Sequence, residues 1–121
     1  MKEGKASAAR IERLAGMMGA MGVPQRLRIV RLLLAAHPHG LPAGEIQQEL
    51  GIPASTLSHH LEKLRQAGVV RFRREGTYLW YTADTQALES LLSFLYAECC
   101  TRSRAVEPAA VLKLAGAECR R

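Results

Sequence analysis

Four residues, Gly51-Ile52-Pro53-Ala54, decide most of what this chain can become. They separate two short amphipathic segments, Gly44 to Leu50 and Ser55 to Ala67, and so brief a connector leaves room for nothing but a tight turn between two helices. In the second segment Leu57, Leu61 and Leu64 recur at helical spacing and form its buried side, with Ser55 placed to cap the helix through its side-chain oxygen. Thr56, Ser58, His59, Glu62 and Lys63 are left to face outward. After Gly68 the period of the sequence changes. Val69 to Arg74 and Thr77 to Tyr81 are rich in branched and aromatic residues and join across Glu75-Gly76, the pattern of a two-stranded hairpin.

Helices flank this unit. From Ala6 to Met21 the apolar positions Ile11, Leu14, Ala15, Met18 and Met21 fall on one stripe, with Arg10, Glu12 and Arg13 on the other side. Gly22 closes that helix. Pro24 opens another, in which Leu27, Val30, Leu33 and Leu34 point one way and Arg26, Arg28 and Arg31 elsewhere, until His37-Pro38-His39-Gly40 breaks the chain. Helical spacing returns from Thr85 to Cys100, with Leu88, Leu91, Leu92, Leu95 and Cys99 on one stripe. The tail from Thr101 holds Pro108, an Ala-rich stretch expected to form one or two turns, and a polar end, Glu118-Cys119-Arg120-Arg121. At 121 residues and 48% hydrophobic the chain has the size of one compact domain. The expected fold is mainly α with a β-hairpin wing, a winged helix-turn-helix. Residues 1–100 are expected to carry DNA binding and dimerisation, and residues 101–121 a partly disordered tail.

Charge points to a polyanionic partner. Lys and Arg number 17 against 11 acidic residues, a net charge of +6. Residues 53–81 alone hold five Lys or Arg and two acidic residues, so the surplus sits on the helix-turn-helix and hairpin. Ser55, Thr56, Ser58, His59 and Lys63 suit close approach to base edges and phosphates, and the alternative is a solvated helix face of chance Ser/His composition. Arg71, Arg73 and Arg74 lie beside Gly76, so the hairpin tip would offer guanidinium groups and the Tyr78 hydroxyl to phosphates or the minor groove. His60, next to the apolar stripe, is read as a packing residue, and so are Trp80 and Leu79.

An enzyme is disfavoured, because the sequence holds no Gly-rich phosphate loop, no nucleophile with an evident general base and no metalloprotease signature. His37 and His39 sit near a turn and are expected to be exposed. A nucleoid protein without operator preference is a further alternative. The N-terminus has no uninterrupted apolar stretch, and nowhere do about 18 apolar residues run together, so no export, no membrane span and a cytoplasmic location are expected. Three cysteines, two of them adjacent, fit no disulfide framework and suit thiol chemistry in a reducing compartment.

Taken together, GVPQRLRIVRLLL, then GEIQQELGIPASTLSHHLEKLRQAGVVRFRREGTYLWY, then a Leu-rich helix, resembles the ArsR/SmtB family of metal- and metalloid-responsive repressors over roughly residues 8–100. The resemblance implies a homodimer in which the first and last helices pair with those of the partner, through the stripes at Ile11 to Met21 and Leu88 to Cys99. Two recognition helices would then enter successive major grooves about 34 Å apart on a palindromic double-stranded operator.

Members that bind arsenite on the first helix of the motif carry Cys-x-Cys there, where this chain has Gln47-Gln48-Glu49-Leu50-Gly51-Ile52. Members that sense zinc or cobalt on the last helix use Asp and His, and although Asp84 is present, no His follows His60. Cys99 and Cys100 remain, with Cys119 in the tail, and the pair resembles the arsenical site of members that use adjacent cysteines at this point. Soft thiolates without nearby imidazole select thiophilic species such as trivalent arsenic or antimony, with no obligatory cofactor. Packing explains one of two adjacent cysteines, since helix neighbours point about 100° apart. A redox reading competes: Arg102 and Arg104 are placed to lower a thiol pKa, and a bridge from Cys99 or Cys100 to Cys119 avoids a strained ring.

Overall fold

The computed structural model describes the backbone of residues 5–102 and 107–119, and the side chains of residues 7–97 and 107–116. The chain divides into two compact units, Met1–Leu88 and Glu89–Arg121.

The first unit runs α1 (Lys5–Met21), α2 (Pro24–Ala35), β1 (Leu41–Pro42), α3 (Ala43–Leu50), α4 (Ala54–Gln66), β2 (Val70–Glu75), β3 (Tyr78–Ala83), and the start of α5 (Thr85–Arg102). This is a winged helix-turn-helix. α1 packs on α2 and α4, α3 fills the angle between α2 and α4, β2 lies against α4, and β3 lies against α2 and α3. The core is apolar: Leu14 and Met17 of α1, Ile29, Val30 and Leu33 of α2, Ile46 of α3, Leu57, Leu61 and Leu64 of α4, and Val69 and Val70 entering the sheet are all buried. Burying each such side chain contributes about 1.5–3 kcal/mol, which is what holds the short α3 and α4 in helical form.

Two stripes differ from the spacing-based reading. Met17 is buried where Met18 was expected, and Met18 is 51% exposed. On α2, Ile29 joins Val30 and Leu33 in the core, while Leu27 and Leu34 stay out at 57% and 43% exposed. Both helices therefore bury a narrower arc than their apolar residues span.

The sheet is antiparallel in the order β1-β3-β2, with Leu41 opposite Tyr81 and Pro42 opposite Trp80. The hairpin register pairs Val70 with Ala83, Phe72 with Tyr81 and Glu75 with Tyr78, and turns at Gly76-Thr77. β1 is a strand the spacing does not reveal, since two residues are too short for any period. It depends on Gly40, whose φ of +81° and lack of a Cβ let the chain pass against the Tyr81 carbonyl. At the other end of the motif α4 stops in a Schellman turn: the Gly68 N–H donates to the Arg65 carbonyl at 3.0 Å and the Val69 N–H to the Leu64 carbonyl at 3.0 Å, with Gly68 at φ +81°. Asp84 opens α5, its Oδ1 accepting the Ala87 N–H at 3.0 Å.

In the second unit α5 continues, and α6 (Pro108–Cys119) follows. The Ala-rich stretch, expected to form one or two turns, is a helix of 12 residues. Pro108 stands at its first position and the Glu107 carbonyl accepts the N–H groups of Ala110 and Val111 at 3.1 and 3.2 Å. High helix propensity of Ala, Leu and Lys accounts for the extension. Leu92 and Leu95 of α5 are 67% and 50% exposed. Among the described residues no helix is long and apolar enough to cross a membrane.

Candidate nucleic-acid interface

Sequence and packing divide α4 into two sides. Leu57, Leu61 and Leu64 are buried, while Ser55, Thr56, Ser58, His59, Glu62 and Lys63 are all exposed, as their spacing requires. Ser55 is not the cap. Pro53 is, with φ −58° and ψ 146°, no side-chain hydrogen bond at the cap, and its carbonyl accepting the Leu57 N–H at 2.9 Å. The fixed φ of proline starts the helix one residue early, so Ser55 lies within the first turn and its hydroxyl remains on the surface. Free N–H groups and the positive end of the helix dipole there add to the attraction for phosphate.

The acidic residue on this side is neutralised in place. Arg65 forks onto Glu62 with Nε to Oε1 at 2.8 Å and an Nη to Oε2 at 2.6 Å, and Gln66 donates to Oε2 at 3.2 Å. The Arg65 hydrogen bond holds the Glu62 carboxyl below the usual carboxylate range. Arg65 also lies over the Phe72 ring, 6.0 Å from its centroid, and Phe72 meets Tyr81 at 5.9 Å, so the end of α4 is tied to the wing by a guanidinium and two rings. Burial pushes the Tyr81 hydroxyl above its ordinary pKa.

The wing arginines differ in their freedom. Arg73 donates to the His39 carbonyl at 2.9 Å and to Glu75 Oε2 at 3.1 Å, and stacks 5.4 Å from the Trp80 centroid. Arg71 reaches Asp84 Oδ2 at 3.4 Å while 73% exposed. Arg74 is exposed and, among the described residues, has no hydrogen bond or ion pair. Tyr78 is 65% exposed at the hairpin turn. Arg74 and Tyr78 are thus available to a partner, whereas Arg73 is largely engaged in bracing the wing against the chain before β1.

Residues 22–72, spanning α2 to the middle of β2, match the helix-turn-helix domain family. An HTH-type transcriptional regulator of Methanocaldococcus jannaschii is 40% identical over 79 residues, 64% of this chain and 86% of that protein. The chain belongs to the winged helix-turn-helix transcriptional regulators. The biofilm growth-associated repressor of Xylella fastidiosa is 30% identical over 95 residues, 78% of this regulator and 81% of that protein. Among solved structures, the homodimeric winged helix-turn-helix DNA-binding domain of a possible ArsR-family regulator from Mycobacterium bovis superposes with a TM-score of 0.62 at 27% identity, covering 80% of this chain and 89% of that one.

Two features of this regulator's interface are missing from the sequence reading. Arg65, in the last turn of α4, is invisible as a wing contact because Phe72 is brought to it by the hairpin. His60 accepts a hydrogen bond from Arg26 Nε through Nδ1 at 3.0 Å, a partner 34 residues away that no spacing rule reveals. The packing role expected for His60 holds in that form. Cys99 and Cys100 fall in the last turn of α5 and Cys119 at the end of α6, and their side chains lie outside the described residues. Among the described residues, no cluster of three His, Cys, Asp or Glu forms a metal site.

Proposed function

We propose that this regulator is a homodimeric repressor that reads double-stranded operator DNA with α4 and the wing, and that trivalent arsenic or antimony bound at cysteine thiolates releases it. The DNA reading is carried by one observation: α4 buries Leu57, Leu61 and Leu64 and leaves Ser55, Thr56, Ser58, His59 and Lys63 exposed on a single helix, with its carboxylate already paired. Hydroxyl and imidazole groups hydrogen-bond base edges, and Lys63, Arg74 and Tyr78 add phosphate contacts. Repression accords with the name of the Xylella relative. Dimerisation accords with the homodimeric Mycobacterium domain and with apolar positions left exposed in the single chain, Met18 on α1 and Leu92 and Leu95 on α5.

The inducer reading rests on the chemistry of the donor set. Three thiols and no accompanying imidazole suit a soft, three-coordinate species better than zinc. Cys99 and Cys100 are the obligatory pair in this scheme and Cys119 the conditional third ligand, so ligand count sets selectivity: arsenite and antimonite use three thiolates, methylarsenite two. Binding near the end of the dimer helix would favour a protomer angle at which the two recognition helices no longer match successive grooves.

The test is a titration of protein bound to a DNA duplex selected from a random library, against arsenite, methylarsenite, antimonite, zinc and peroxide, with and without reductant. Release by trivalent arsenicals that is lost in Cys99→Ser and Cys100→Ser supports the scheme. In Cys119→Ser the response to arsenite and antimonite should weaken while that to methylarsenite stays. Release by peroxide alone, reversed by reductant, would establish the redox reading instead, and binding with no sequence preference would leave a nucleoid role.

A further inference from the structure

Arg26 stands in the first turn of α2 and reaches two other helices. Its Nε donates to Nδ1 of His60 on α4 at 3.0 Å, and an Nη donates to the Ala20 carbonyl near the end of α1 at 3.4 Å. One part-buried side chain thereby joins α1, α2 and the helix whose opposite side is proposed to face DNA. Because Nδ1 is the acceptor, the imidazole is neutral and carries its proton on Nε2. Adding a proton to Nδ1 removes the acceptor and sets an imidazolium against a guanidinium. The bond therefore exists in one protonation state of His60 and is replaced by repulsion in the other.

The groups around His60 act in the same sense. Partial burial first, then the charge of Arg26, then that of His59, hold its pKa below the ordinary histidine value. The elements packed on α4 carry Arg10, Glu12 and Arg13 on α1, Arg26, Arg28 and Arg31 on α2, Glu45 and Glu49 on α3, and Arg71, Arg73, Arg74 and Glu75 on β2, and of these charges that of Arg26, with that of His59 on α4 itself, shifts His60. α1 ends toward Arg26 in uncharged residues, Met17 to Met21.

We propose that Arg26 is a positioning residue for DNA recognition: its hydrogen bond to His60 fixes α4 against the α1–α2 corner, and acid, by protonating His60, frees α4 and weakens binding to specific DNA. The inference rests on the DNA-reading role of α4.

The experiment uses the full chain, a duplex selected from a random library, and a scrambled duplex, with affinities measured between about pH 8 and about pH 5.5. In the wild type the ratio of selected to scrambled affinity is expected to fall roughly tenfold across this range. His60→Asn, whose Oδ1 stands where Nδ1 accepts from Arg26 but does not titrate, should keep the high-pH ratio and lose the acid response. Arg26→Met should lower the ratio already at high pH and lose the acid response too. Histidine proton resonances of the DNA-free protein provide a second reading, with the His60 midpoint rising in Arg26→Met. A His60→Asn protein that keeps the acid response, an Arg26→Met protein with an unchanged high-pH ratio, or a His60 midpoint indifferent to Arg26 would overturn the proposal. A wild type that never distinguishes the two duplexes overturns the DNA reading itself, and the positioning role with it.

Discussion

Gly40→Ala should destabilise this fold far more than the same change at Gly68, although both glycines hold φ +81°. The backbone term is common to the two sites: a left-handed conformation costs an L-residue about 1–2 kcal/mol. At Gly68 an added Cβ meets nothing within 4 Å, so that term is the whole effect. At Gly40 the Cβ would overlap the Tyr81 carbonyl oxygen and crowd Thr82 Cγ2, and neither the sheet backbone nor a β-branched side chain can swing aside. Relief comes by lifting β1 off β3, which breaks the pairing of Leu41 with Tyr81 and Pro42 with Trp80 and loosens the 2.9 Å bond from the Gly40 N–H to the Ala36 carbonyl. Losing two or three backbone hydrogen bonds at about 1 kcal/mol each brings the total to about 3–5 kcal/mol, a large share of the ~5–15 kcal/mol that holds a domain together. Urea unfolding of the two variants beside the wild type, followed by far-UV circular dichroism, measures the difference. Equal losses at the two positions would refute the argument, because the collision is all that separates them.

Ser58→Ala or His59→Ala should each reduce affinity for a selected duplex by about 1–3 kcal/mol while leaving affinity for scrambled DNA nearly unchanged, which fluorescence anisotropy with the two duplexes checks. Arg74→Ala should weaken binding to every sequence and lower the slope of log affinity against log salt by about one unit, whereas Arg73→Ala should also lower the unfolding midpoint because it unties the His39 carbonyl and Trp80. With its folded pKa below the unfolded value, His60 binds a proton more readily in the unfolded chain. Its contribution to stability is therefore complete above the ordinary histidine range of about 6.5 and is lost as pH falls through the lower folded value, and a urea midpoint that drops less in His60→Gln over this interval would confirm it. Cys99→Ser with Cys100→Ser should leave the unfolding midpoint and DNA affinity unchanged while abolishing release by methylarsenite.

What the sequence showed of the fold follows from the range of the interactions involved. α3, α4 and the hairpin are specified by neighbours a few residues apart, through Leu57, Leu61 and Leu64 at helical spacing, Gly68 at the helix end and Gly76 at the turn, and these elements lie where the pattern puts them to within one or two residues. β1 is specified across the chain by its pairing with β3, so no local pattern announces it. The errors at Met18 and Leu27 have another origin. Helical spacing shows that an apolar stripe exists but not how much of its width the neighbours cover, and both α1 and α2 carry stripes wider than the core can take up. An apolar arc in excess of what one chain buries is also what a helix needs if a second copy is to cover it.

The candidate site divides along the same line. Exposed residues of α4 were legible because a helix with one buried face determines its other face by geometry alone. The wing was legible in composition but not in role, since three arginines within four residues look equivalent until their partners are known. Strand alternation makes them differ. Arg73 shares a face with Trp80, its cross-strand neighbour, and is drawn into packing there, while Arg74 pairs with Leu79, a residue that offers no acceptor, and its charge remains for a partner. A single shift of register would exchange these roles, so the phosphate contact on the wing depends on the hairpin register that Gly76 sets as much as on the presence of arginine. Inserting one residue at Thr77 should accordingly lower DNA affinity and the unfolding midpoint together, although it removes no charge.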